Sequence, residues 1–198
     1  MEIIDKIKNK FYSRSQYERR LIIMSGVFFL VCTALGSLFH FGFDLFGGLK
    51  WLAPFVPVNE SVWEHLKLSF IPYVLILLPI EYLIYGKHTR WFIPAKLIGV
   101  YSAMIFIVME FYTIKGAVGE PSAAVNIILY CIGTLISYLI PAVIGIRSVT
   151  DSPKRIKALA LIALALTLII FFVFTYCPPH LPIFLDPMGT GYGYYMIR

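Results

Sequence analysis

Residues 56–68 read VPVNESVWEHLKL and concentrate the ionisable chemistry of this chain. Glu60 and Glu64 are four apart, so on a helix they share a face, and Ser61 and His65 share the neighbouring one. Lys67 follows Glu64 by three residues and can pair with it. Carboxylates beside a histidine suit general acid–base work when their surroundings perturb their pKa values. They also suit a divalent metal such as zinc, which takes histidine nitrogen and carboxylate oxygen. The same residues read equally as a helix start. Ser61-Val62-Trp63-Glu64 fits the S/T-x-x-E capping box, and acidic groups suit the positive end of a helix.

Further candidates lie elsewhere. His40 and Asp44 form an HxxxD spacing after a stripe of small and polar residues, Gly26, Thr33, Gly36 and Ser37. Asn126, Tyr130, Thr134 and Ser137 form a second stripe. Small and polar residues in such rows mark helix contacts in membranes, and two rows running to the same end predict a cavity opening there. The candidate catalytic set is Glu60, Glu64, His65 and His40. Asn126, Tyr130, Glu110 and Asp44 are the candidate ligand-binding set. For a metal the candidates are His65, His180 and Asp186, the last two supplied by the tail. No GxSxG, HExxH or Walker sequence occurs, and GTGYG at 189–193 follows no strand, so it is no dinucleotide fingerprint. The three cysteines form no CxxC pair and imply neither disulfides nor a zinc knuckle.

These residues must be positioned by membrane helices. The chain has 198 residues, 59% hydrophobic and 14% charged, where a soluble domain carries roughly 25% charged residues. Crossing a bilayer takes about 20 apolar residues. Five stretches qualify, at roughly 21–39, 62–85, 91–112, 123–146 and 156–176. The stretch 46–57 is shorter and rich in Gly and Pro, which predicts an interfacial or re-entrant segment after the first helix. Expected, then, is an all-α bundle of five transmembrane helices forming a single domain over 1–198. Residues 1–18, with Ile3, Ile4, Ile7 and Phe11, read as an amphipathic cytoplasmic lead. Residues 178–198 read as a tail too aromatic for water, turned back over the bundle by Cys177-Pro178-Pro179.

Orientation follows the basic residues. With the N-terminus in the cytoplasm, Lys6, Lys8, Lys10, Arg14, Arg19, Arg20, Lys87, Arg90, Lys96, Arg147, Lys154, Arg155 and Lys157 lie inside, thirteen of the 17. The C-terminus and the site are then extracytoplasmic. Glu81 and Lys96 fall at equal depth on neighbouring antiparallel helices, which predicts an ion pair. The net charge of +6 belongs to topology, and no basic–aromatic cluster points to nucleic acid.

PVNESVWEHLK at 57–67, HF at 40–41 and PPHLPIFLDP at 178–187 resemble a family of small uncharacterised bacterial membrane proteins with a domain-of-unknown-function label. The resemblance covers nearly the whole chain. It implies a multispan fold in the bacterial plasma membrane and no activity. Two function classes stay open. One is a membrane-embedded enzyme acting on a lipid or amphiphile among its membrane lipids. The other is a carrier or binding protein for a small solute or ion.

Overall fold

The computed structural model describes residues 2–189 and 191–194, with side chains from residue 14 onward. Among these residues the chain is helical and has no strand, only one antiparallel bridge, between Leu185 and Tyr192. The helices are α1 (Glu2–His40), α2 (Gly42–Leu45), α3 (Val62–Ile71), α4 (Leu78–Ile84), α5 (Phe92–Val118), α6 (Ala123–Arg147) and α7 (Lys154–Tyr176). A π-helical turn, Pro72–Leu77, joins α3 to α4. Pro72 and Pro79 bring no backbone N–H to that stretch, so regular i to i−4 bonding cannot run through it unbroken.

Five spans are long and apolar enough to cross a membrane: Arg14–His40, Val62–Ile84, Phe92–Val118, Ala123–Arg147 and Lys154–Tyr176. The fold is therefore the expected five-helix membrane bundle. One difference is that α1 runs unbroken from Glu2, so the lead continues the first span as helix. The apolar face expected from Ile3, Ile4, Ile7 and Phe11 lies outside the described side chains. Leu30, Leu83, Ile105, Ile127 and Leu159 stand exposed on the outer faces, as lipid contact requires.

The second span is the centre of the bundle. Of its most apolar window 61% is buried, against 22% for the fifth span. Small residues let the helices close. A methyl group on Gly36 of α1 would run into the Tyr130 hydroxyl and the Leu68 carbonyl. On Gly133 of α6 it would strike Ile107 of α5. Gly26 has no such neighbour, so the expected contact stripe on α1 narrows to its final turns.

The segment after α1 does not span. It makes the short α2 and a series of turns, tucking Phe43, Ala53, Val56 and Val58 into a small apolar cluster while Trp51 and Phe55 stay exposed. The turn between α5 and α6 has a local cause. Gly119 ends α5 with φ 91°, which a side chain would resist. Ser122 then caps α6 by accepting from the Val125 amide.

Candidate functional site

Ser61 starts α3 as its motif predicts, its hydroxyl accepting from the Glu64 amide at 3.3 Å. The reciprocal half of the box is absent. Asn59 Oδ1 takes the Ser61 amide instead (2.9 Å), which frees the Glu64 carboxylate to turn inward. There it accepts from the Val58 amide (3.0 Å) and from Lys67 Nζ (2.5 Å). Lys67 Nζ also donates to the Ala53 carbonyl (2.9 Å) and the Thr175 hydroxyl (2.6 Å). Glu64 and Lys67 are both fully buried. Through Lys67 the pair joins α3 to the 46–57 segment and to α7, and Glu64 does not border the cavity described next.

Glu60, one residue before the cap, stays half exposed, and its carboxylate lies 3.3 Å from His65 Nε2. The His65 ring beside it holds the Glu60 carboxyl below the usual range. His65 Nδ1 sits 2.9 Å from the Ser61 carbonyl. A carbonyl and a carboxylate both only accept, so Nδ1 carries a proton toward Ser61, and Nε2 faces Glu60 either as the second donor of a charged ring or as a lone pair that a cation bridges. His40, in the last turn of α1, places its ring 5.2 Å from that of His65. His40 Nδ1 is buried without a hydrogen-bond partner. Potential ligand atoms of His40, Glu60 and His65 all lie within 4.8 Å of one another.

A cavity of about 600 Å³ opens beside this cluster. Glu60 and His65 form one corner. Leu68 of α3, Ile107 and Phe111 of α5 and Leu129 of α6 form an apolar wall. Asn126, Tyr130 and Glu120 also border it, with Glu120 ion-paired to Lys115 at the exposed rim. The Tyr130 hydroxyl is committed to α1, donating toward the carbonyls of Thr33 (3.1 Å) and Cys32 (3.3 Å). The two stripes that predicted the cavity contribute little else to it. Thr33, Ser37, Thr134 and Ser137 return their hydroxyls to carbonyls of their own helices.

The tail does fold back onto the bundle, but with other residues at the cavity. Phe184 is buried between Trp63 and Phe174, with ring centres at 4.9 and 5.3 Å. Asn59 Nδ2 reaches the Gly193 carbonyl (3.4 Å), tying the tail to the turn that carries Glu60. Pro187 and Met188 then border the cavity. Asp186 is used within the tail: its Oδ1 accepts from the Met188 amide (3.0 Å), setting the turn that presents Met188. His180 is exposed and stacks on Tyr192 at 4.7 Å. Among the described residues the cluster able to hold a metal is His40, Glu60 and His65, so His65 converges with His40 and Glu60 and not with His180 and Asp186. Asp44 and Glu110 do not border the cavity. Sequence reasoning missed the apolar wall and Met188. Nothing distinguishes Leu68, Ile107 or Leu129 from lipid-facing neighbours of the same types.

At the opposite end, Glu81 and Lys96 form the expected ion pair, fully buried, with the Tyr85 hydroxyl also donating to Glu81. The ammonium lies over the rings of Tyr138 (4.3 Å) and Tyr73 (5.0 Å), a favourable setting for a desolvated cation.

The model of a family of unknown function, DUF6512, matches residues 9–194. The chain belongs to that family. No curated protein and no solved structure matches the chain. DUF6512 membership thus agrees with a five-span membrane protein and carries no activity with it.

Proposed function

We propose that this protein is a membrane-embedded enzyme whose substrate is a lipid or an amphiphilic small molecule, with its reacting end at His40, Glu60 and His65. The observation that carries this is the cavity itself, which joins an ionisable corner to an apolar wall within one space of about 600 Å³. That volume suits a ligand of drug-like size, and mostly apolar lining with few polar groups is the usual form of such sites. The polar end of an amphiphile would meet Glu60 and His65, and its chain would lie along Leu68, Ile107 and Leu129. His65 can accept a proton at Nε2 or, once protonated, deliver it, with Glu60 stabilising the charged ring. In this proposal the site faces outward from a bacterial plasma membrane, as the basic residues favour.

A carrier for a small solute is the alternative, and it needs a path through the core. Phe70, Tyr73, Val100 and Tyr138 are all at most 1% exposed in the core of the bundle, and Tyr73 and Tyr138 close over Lys96. That filling supports a one-sided site. The test incubates the purified full-length protein with a lipid extract and follows the extract by mass spectrometry. Expected is a species consumed by the wild type, not consumed by H65A or E60A, and neither bound nor consumed by L129W, which fills the cavity. Equal consumption by H65A and the wild type would overturn the assignment.

A further inference from the structure

His65 Nε2 and the Glu60 carboxylate face one another at 3.3 Å. A charge-assisted N–H···O bond between them would bring the atoms to about 2.7–2.9 Å. Ligands bound to tetrahedral zinc at 2.0–2.2 Å stand about 3.3–3.5 Å apart. With one proton of His65 held at Nδ1 by the Ser61 carbonyl, the gap between Nε2 and Glu60 is bridged by a second ring proton or by a metal cation, and the 3.3 Å separation fits the metal. A ring nitrogen donating to a backbone carbonyl is also how metal-bound histidines are usually oriented. His40 adds the third component. Its ring approaches the same point, and its Nδ1 is buried without a partner.

We propose that His40, Glu60 and His65 hold one divalent transition metal of the zinc class at the corner of the cavity. Two imidazoles and one carboxylate suit that class, whereas calcium and magnesium want oxygen ligands throughout. Three protein ligands leave a fourth position, as in catalytic zinc sites, and two of the three, Glu60 and His65, line the cavity. The three come from the end of α1, the turn before α3 and its first turn, so the bundle itself assembles the set. The metal rests on the amphiphile site proposed above: with it bound, His65 Nε2 and Glu60 act as its ligands in place of the proton transfer described there, and its open position would take the polar end of that molecule.

The test keeps the two proposals apart. Full-length protein in detergent is stripped with EDTA, reloaded with Zn²⁺ or Co²⁺ and desalted, with no amphiphile added. Expected is one equivalent of metal by elemental analysis and the intense visible bands of four-coordinate cobalt. H40A and H65A should lose the stoichiometric metal, and H180A should keep it. Wild-type protein that retains no metal above the H40A and H65A background overturns the proposal. So does cobalt bound without histidine nitrogen in its X-ray absorption spectrum, a reading that needs no variant to fold. Lipid binding compared between wild type and L129W is scored separately. Metal without lipid binding sinks the amphiphile site and leaves the metal centre standing, and lipid binding without metal does the reverse.

Discussion

Glu60 and Glu64 stand four residues apart across the start of α3 with the same functional group, and the fold gives them opposite surroundings. Glu64 is sealed in with Lys67, and Glu60 looks into the cavity. Removing one partner of a buried pair strands the other charge, at a cost of about 3–5 kcal/mol. K67M and E64Q should therefore each lower the thermal stability of the detergent-solubilised protein steeply, and the double variant E64Q/K67M should recover a large part of the loss. E60Q should unfold within a few degrees of the wild type while losing the activity proposed for the site. A double variant less stable than either single one would mean that the pair is not a unit. The Glu64–Lys67 spacing was legible in the sequence, but its burial was not. The same i, i+3 pair occurs on solvated helices, and only the Ala53 carbonyl and Thr175, distant in sequence, place this one inside.

Helices and tail obey simpler rules, and more of them could be read. Pro178 and Pro179 had to end the last helix, and a tail carrying Ile183, Phe184, Leu185 and Tyr192 had to find cover. Which groove covers it depends on Trp63 and Phe174 meeting at one corner, which no local pattern encodes. Phe184 is the anchor of the described tail, 5% exposed. Truncating a buried phenylalanine costs about 3–5 kcal/mol, more than a short peripheral segment can lose and stay docked. F184A should thus release the tail with the bundle intact. Limited proteolysis should cut after Pro179 in the variant and spare the wild type, and lipid binding at the cavity should weaken because Met188 leaves its edge. At the other side of the site, Gly36 permits the contact of α1 with Tyr130 and Leu68. G36V overfills that contact, and overpacking costs roughly 1–3 kcal/mol. Its expected outcome is a lower unfolding temperature together with impaired function, since α1 also carries His40.

Across the whole molecule, the count of spans was legible because a bilayer forces it: every crossing needs its length of apolar helix with its backbone bonded internally. The end of the bundle that holds a cavity was legible from the polar stripes, but its apolar wall was not, because hydropathy does not tell Leu68, Ile107 and Leu129, which line it, from residues that face lipid. Orientation rests on charge, and the structure sharpens that count. Lys67 and Lys96 are internal, each neutralised by a buried carboxylate, so neither reports on a loop. Without them, twelve of the fourteen remaining basic residues among those described lie at the end of the bundle away from the site. The two described ones at the site end are Lys50 and Lys115, of which Lys115 is paired with Glu120. Basic residues flanking spans are retained on the cytoplasmic side, so the cavity should open on the opposite face. The check is a labelling map in a background without Cys131 and Cys177, keeping Cys32, which is fully buried. A cysteine replacing Met188, at the rim of the cavity, should react with an impermeant maleimide in intact cells. One replacing His88, in the turn between the second and third spans, should react only after the membrane is opened. Labelling of both positions from the same side would contradict five crossings. A clean reversal would keep the bundle and turn the site toward the cytoplasm, where its amphiphile would have to come from the inner leaflet.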